Sequence, residues 1–155
     1  MRTTAMVMLI VFAAIFLNFV LAVVGLTDLL SAFINGLGLS PMQTMVVIVL
    51  AFMLLGCFIE AFSLLLIATP LLAPIVADLG FDLIWFGILM MLMLETALIT
   101  PPIGVNLYVI QGVRGQGSIV DVIVGALPFL LALVGMIVLL LIFPQIALWL
   151  PEAIS

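Results

Sequence analysis

The 155 residues contain no histidine, one cysteine and only two basic side chains, Arg2 and Arg114. Without histidine, imidazole metal sites and serine–histidine–aspartate catalysis are excluded, and no paired aspartates suggest intramembrane proteolysis, so the sequence does not read as an enzyme. Cys57 has no partner for an intrachain disulfide and reads as an inert buried thiol. Two arginines cannot build the basic face that a nucleic-acid binder needs. Charge of either sign is scarce: 6% of residues are charged and 69% are hydrophobic, against roughly 25% and 45–50% in a soluble domain. The chain therefore reads as an all-α integral membrane protein whose main environment is the lipid bilayer. Its seven acidic residues give a formal charge of −5. They are scattered, mostly at segment ends, and do not point to a cationic partner.

What the chain has is a series of apolar runs with distinct punctuation. Residues 4–24 match the ~20 residues needed to cross a ~30 Å hydrocarbon core. The run follows Met1-Arg2, as a signal peptide would, but it is longer than an h-region and lacks a small-x-small cleavage site. Asn18, inside it, is either a pore-facing ligand or a bond to a neighbouring helix. Residues 26–37 carry Leu26, Leu29, Leu30, Phe33, Ile34 and Leu37 at helical spacing, with Thr27, Asp28, Ser31 and Asn35 between. That is an amphipathic helix for the membrane interface. Residues 42–78 form two apolar arms around the polar stretch Gly56–Ser63. The first arm is only about 14 residues, which favours a re-entrant hairpin over two full crossings. Residues 83–113 are a transmembrane helix interrupted in the middle, and residues 119–144 a final span containing Pro128. Gln111–Ser118 reads as a polar glycine-rich loop, and Gln145–Ser155 as an interfacial tail with Trp149 as headgroup anchor. Met90, Met91 and Met93 read as packing. With Arg2 and Arg114 both cytoplasmic, as the positive-inside rule prefers, Asp28, Asp78, Asp82 and Glu152 fall on the far side.

The interruption is Leu98-Ile99-Thr100-Pro101-Pro102-Ile103-Gly104-Val105-Asn106. Each proline lacks an N–H and crowds the carbonyl four residues back. The carbonyls of Ala97 and Leu98 are thereby predicted to lose their helical partners. Such a break survives at membrane depth only where it is buried in protein or lines a cavity, and broken helices are how secondary transporters hold ions and substrates. Two carboxylates, Glu60 at the hairpin tip and Glu95 before the break, lie within apolar segments. Each helps form a cation site or locks the local backbone through hydrogen bonds. A hard cation such as sodium takes oxygen ligands. These are on offer from the carbonyls of Ala97, Leu98 and Thr100, from the hydroxyls of Ser63, Thr69, Thr96 and Thr100, and from the Asn106 amide. Gly56 and Gly104 let backbone come close to a ligand. The helix N-termini after the tip and after the break can face an anion such as a substrate carboxylate.

Gly56-x-x-x-Glu60, Thr69-Pro70-x-x-x-Pro74, Leu79-Gly80, Phe86-Gly87-Ile88 and Thr100-Pro101-Pro102-x-Gly104-x-Asn106-Leu107-Tyr108-Val109 together resemble the C-terminal half of the large permease subunit of TRAP (tripartite ATP-independent periplasmic) transporters, DctM type. Ala126-Leu127-Pro128-Phe129 and Phe143-Pro144 resemble that family's end. The resemblance implies one inverted-repeat half of an elevator-type transporter, with a re-entrant helical hairpin and a broken transmembrane helix. It implies sodium-gradient-coupled uptake of organic acids such as C4-dicarboxylates or sialic acids in a bacterial inner membrane. The implied partners are a small membrane subunit, a periplasmic substrate-binding protein and the N-terminal half of the permease. No cofactor is implied beyond the coupling ion. By the resemblance, Gly56–Ser63 is a hairpin tip, and a sodium ion would sit among Ala97, Thr100, Gly104 and Asn106. The sequence departs from the family at Met93, where asparagine is usual, and at Ala97, where glycine is common. Two other readings compete: a non-transporting scaffold, in which Glu60, Thr100 and Asn106 tolerate apolar replacement, and a self-associating half-transporter with copies in opposite orientations.

Overall fold

The structure, a computed structural model, describes residues 2–101 and 104–154. Among these the chain forms eight helices: α1 (Arg2–Val24), α2 (Leu26–Gly36), α3 (Pro41–Gly56), α4 (Ala61–Asp78), α5 (Leu83–Ile99), α6 (Val105–Arg114), α7 (Ile119–Ile142) and α8 (Gln145–Ile154). Three of them, α1, α4 and α7, are long and apolar enough to cross a membrane. The apolar helices α3 and α5 are shorter, at 16 and 17 residues. At 1.5 Å per residue α3 spans about 24 Å, less than the ~30 Å of a hydrocarbon core.

The helix ends follow from local chemistry. Gly25, in the left-handed region at φ 72, separates α1 from α2; a residue with a Cβ rarely enters that region. Ser118 caps α7. Its N–H donates to Asp121 Oδ2 at 3.0 Å and its Oγ accepts from the Asp121 N–H at 3.4 Å, a reciprocal capping box. Two boundaries differ from the sequence reading. α6 runs on to Arg114 and stops at Gly115, whose N–H returns to Gln111 O at 3.0 Å, so Gln111–Arg114 are helical rather than loop. α7 ends at Ile142, short of the 144 read from sequence, and the tail from Gln145 is helical as far as Ile154.

The described chain divides into two compact units. The first joins the chain up to Ile48 with Phe62–Leu83; the second joins Val49–Ala61 with the chain from Ile84 onward. In the first, Ala14, Met45, Leu64, Ala68, Ile75 and Val76 are buried. Here α1 packs on α4: Ile10, Ala13, Ala14 and Leu17, at i, i+3, i+4 and i+7, line a recess with Ser63 and Ile67. The Asn18 side-chain amide donates to Leu66 O at 3.0 Å. Of the two readings of Asn18, the bond to a neighbouring helix is the one observed. In the second unit, Trp85, Phe86, Leu89, Met90, Met93, Ala97, Leu107, Ile137 and Leu140 are buried. The Trp85 indole N–H donates to Leu140 O at 2.9 Å and ties α5 to α7. Met90 and Met93 do pack inside, whereas Met91 points outward.

Most of the surface is apolar. α1 exposes Met6, Leu9, Phe12, Phe16, Phe19 and Val23. On α2, Leu29 and Phe33 are exposed beside Asp28. A water-soluble protein rarely leaves so much apolar area uncovered. The all-helical architecture with three span-length apolar helices defines an integral membrane protein.

Candidate functional site

The break forms because α5 is brought to an end over two turns. Thr96 Oγ1 donates to Leu92 O and Thr100 Oγ1 to Thr96 O, each at 2.6 Å. Such back-bonding by threonine weakens and bends a helix. It uses both hydroxyl hydrogens and leaves lone pairs on both oxygens. Pro101 then has no N–H for Ala97 O, and Pro102 none for Leu98 O. The Thr100 N–H reaches Ala97 O at 3.2 Å. The expectation that both carbonyls stand open is therefore corrected for Ala97: a tightened last turn supplies a substitute donor. Pro102 lies outside the described residues.

Past the break the chain re-enters a helix at Gly104. Its N–H donates to Thr100 O at 3.1 Å, and its carbonyl accepts from Leu107 N at 2.9 Å. Gly104 is buried. A Cβ there would stand 3.0 Å from Leu98 O, Thr100 O and Leu107 Cδ1. Two backbone carbonyl oxygens thus crowd the side-chain position of Gly104. Gly104 is also the N-cap of α6, and no side chain caps that helix start. Asn106, in the first turn, is half-buried, and Leu107 is fully buried.

Of the polar stretch Gly56–Ser63, residues 56–61 are in the same compact unit as the break, whereas Phe62 and Ser63 are in the other. α3 unwinds through successive tight turns: Cys57 N to Leu54 O at 3.2 Å, Phe58 N to Leu55 O at 3.0 Å and Ile59 N to Leu55 O at 2.9 Å. The Cys57 thiol is buried and donates to Met53 O at 3.3 Å, as its reading as an inert thiol anticipates. Gly56 is half-buried, and Glu60 is exposed beside exposed Phe58 and Ile59.

The residues singled out from sequence therefore divide. Gly56, Glu60, Glu95, Ala97, Leu98, Thr100, Pro101, Gly104 and Asn106 lie in the second unit, whereas Ser63 and Thr69 lie in the first. Ser63 faces the α1 recess. Thr69 is exposed, its hydroxyl donating to Leu65 O at 2.6 Å. Glu95 lies on the outward face of α5, while Thr96 and Ala97 are buried. Beside the break, α6 and α7 enclose an open recess of about 360 Å³, lined by Ile99, Leu107, Ile110, Val122 and Phe129 with Arg114. Arg114 faces Asp121 at 3.9 Å, both side chains about half exposed. Among the described residues no cluster of three or more acidic or cysteine side chains could hold a metal ion; the oxygens near the break belong to backbone carbonyls, the Thr96 and Thr100 hydroxyls and the Asn106 amide.

The chain is thus an apolar helical protein with a helix interrupted between Ile99 and Val105. The family model for the tripartite ATP-independent periplasmic transporter, DctM component, matches residues 1–146, and the chain belongs to that family. It is 33% identical, over 97% of its length, to the C4-dicarboxylate TRAP transporter large permease protein DctM of Pseudomonas aeruginosa, covering 35% of that protein. The sialic acid TRAP transporter large permease protein SiaM of Vibrio cholerae is 34% identical over 97% of this chain and 35% of its own length. The 2,3-diketo-L-gulonate TRAP transporter large permease protein YiaN of Escherichia coli is 32% identical over 94% of this chain and 34% of its own length. The chain thus spans about a third of the curated relatives it matches. Their named substrates differ at nearly equal identity, so likeness alone selects none of them.

Proposed function

We propose that this chain forms the C-terminal part of a TRAP large permease and contributes one side of a coupled cation and organic-acid site to uptake across a bacterial inner membrane. The observation that carries this reading is the helix break, where the Leu98 and Thr100 carbonyl oxygens each lie 3.0 Å from the point a Cβ on Gly104 would occupy. Sodium would take oxygens from Ala97, Thr100, Gly104 and Asn106, because a hard cation prefers such neutral and carboxylate donors. The uncapped N-terminus of α6 would face the substrate carboxylate, favoured by the N–H groups and the helix dipole. Glu60 at the tip would bias the local field towards the cation. The arms α3 and α4 act as a re-entrant hairpin, and the unit moves as part of an elevator. The rest of the permease, the small membrane subunit and the periplasmic binding protein complete the system. The substrate class is organic acids, C4-dicarboxylates among them.

Two outcomes follow. In proteoliposomes holding the whole permease, its small subunit and its binding protein, Asn106→Leu drops sodium-dependent uptake to background while membrane insertion stays normal. Uptake at the unmutated level would remove Asn106 from the site and favour a scaffold role. A cysteine at Asp78 reacts with a membrane-impermeant maleimide from the periplasmic side, and one at Gln116 does not. The reverse pattern would invert the orientation.

A further inference from the structure

α1 is apolar all round from Ala5 to Val24, with one exception, Asn18. Such a helix has no amphipathic stripe to fix how it rotates or slides against a neighbour, since lipid competes equally for every face. Yet Asn18 reaches one particular atom, Leu66 O on α4. That carbonyl is not an arbitrary choice. Its helical donor would be the N–H of residue 70, which is Pro70, inside the continuous helix α4, and proline has no N–H. At membrane depth a carbonyl without a donor is costly, and a neighbouring helix is one source of relief. Another long-range bond between a side chain and the backbone follows the same logic. Trp85 donates to Leu140 O, whose donor four residues on would be Pro144. Both bonds therefore supply an N–H that a proline withholds.

We propose that Asn18 is a positioning residue that fixes the register of α1 on α4, by serving as the donor that Pro70 removes from Leu66. The face of α1 that meets α4 agrees with this. Ile10, Ala13, Ala14 and Leu17 line the recess with Ser63 and Ile67, and Asn18 continues that stripe at the next helical position. Two of these positions, Ala13 and Ala14, are small, as residues between membrane helices often are. A slip of one residue turns Asn18 by about 100° and leaves Leu66 O without its donor. Proline and asparagine thus work as a matched pair, Pro70 freeing the Leu66 carbonyl and Asn18 being the one polar side chain on that stretch of α1 able to meet it.

A double-mutant cycle in the purified chain in detergent micelles tests this. Asn18→Leu raises the unfolding equilibrium constant about five- to thirty-fold. In a Pro70→Ala background, where the backbone N–H of residue 70 returns to Leu66 O, the same replacement changes it within about twofold. Pro74→Ala, which restores a donor to a different carbonyl, leaves the Asn18→Leu defect at full size. An equal defect with and without Pro70 would overturn the pairing, as would rescue by Pro74→Ala. If Asn18→Leu fails to fold, hydrogen exchange of the Asn18 side-chain amide decides in the folded variants. It is slow with Pro70 and faster in Pro70→Ala; equal rates in the two would refute the proposal.

Discussion

Gly104→Val is expected to abolish sodium-dependent uptake by the whole permease while leaving the protein in the membrane. The Cβ alone would lie 3.0 Å from two backbone carbonyl oxygens and one leucine methyl. Leu107 can swing its methyl aside. The carbonyls of Leu98 and Thr100 cannot, because Thr100 O already accepts the Gly104 N–H at 3.1 Å and Leu98 belongs to α5. The γ-carbons of valine add further crowding, and overpacking of this kind costs about 1–3 kcal/mol. The backbone must open to accommodate it, and the two oxygens separate. Gly104→Ala should show the same defect in weaker form. Uptake assays paired with thermal unfolding check the order Gly, Ala, Val. Normal uptake by the valine variant would mean that the tight packing of these carbonyls around Gly104 serves no purpose in transport.

Trp85→Ala is expected to be the most destabilising single change in the second unit. The ring is 1% exposed, and emptying such a site costs about 3–5 kcal/mol. Trp85→Phe separates packing from hydrogen bonding. It keeps most of the ring but takes the donor from Leu140 O, for which Pro144 offers no replacement. Leaving that acceptor unmet costs about 1–3 kcal/mol. Unfolding in micelles should rank wild type above Phe and Phe above Ala. A phenylalanine variant as stable as wild type would show that the indole N–H bond contributes nothing. Trp149 is an internal reference: it is exposed, and its replacement should leave stability unchanged.

The parts of this structure written in local chemistry were legible before any coordinates. Two adjacent prolines forbid a continuous helix at Pro101–Pro102, and the observed helices end at Ile99 and resume at Val105. Gly25 and Gly56 mark helix ends because each follows an apolar run. The extent of α2 was visible in its spacing of leucines. What stayed hidden depends on rotation and on distant partners. Ser63 and Thr69 follow the hairpin tip closely in sequence, which suggested one shared site. Ser63 instead faces α1, since two or three residues along a helix turn a side chain to another side. Ala97 O seemed open because proline chemistry gives the missing donor but not the turn that replaces it. The bond from Trp85 to Leu140 joins positions 55 residues apart, and nothing in either neighbourhood announces the other. Proline positions were the available signal: each marks a carbonyl four residues back that needs a donor from elsewhere. The capping box Ser118-x-x-Asp121 is also readable from spacing.

The central claim is that the interrupted backbone at Thr100–Gly104 meets an aqueous solute within the membrane. Val105, the first residue of α6, is exposed beside that break. A single cysteine at position 105, with Cys57 replaced by alanine, can be probed in the whole permease with a water-soluble maleimide. Labelling should proceed from the aqueous phase and slow when sodium replaces potassium. A cysteine that reacts only with a lipid-soluble maleimide, at a rate indifferent to sodium, would show the break facing hydrocarbon and would contradict the account.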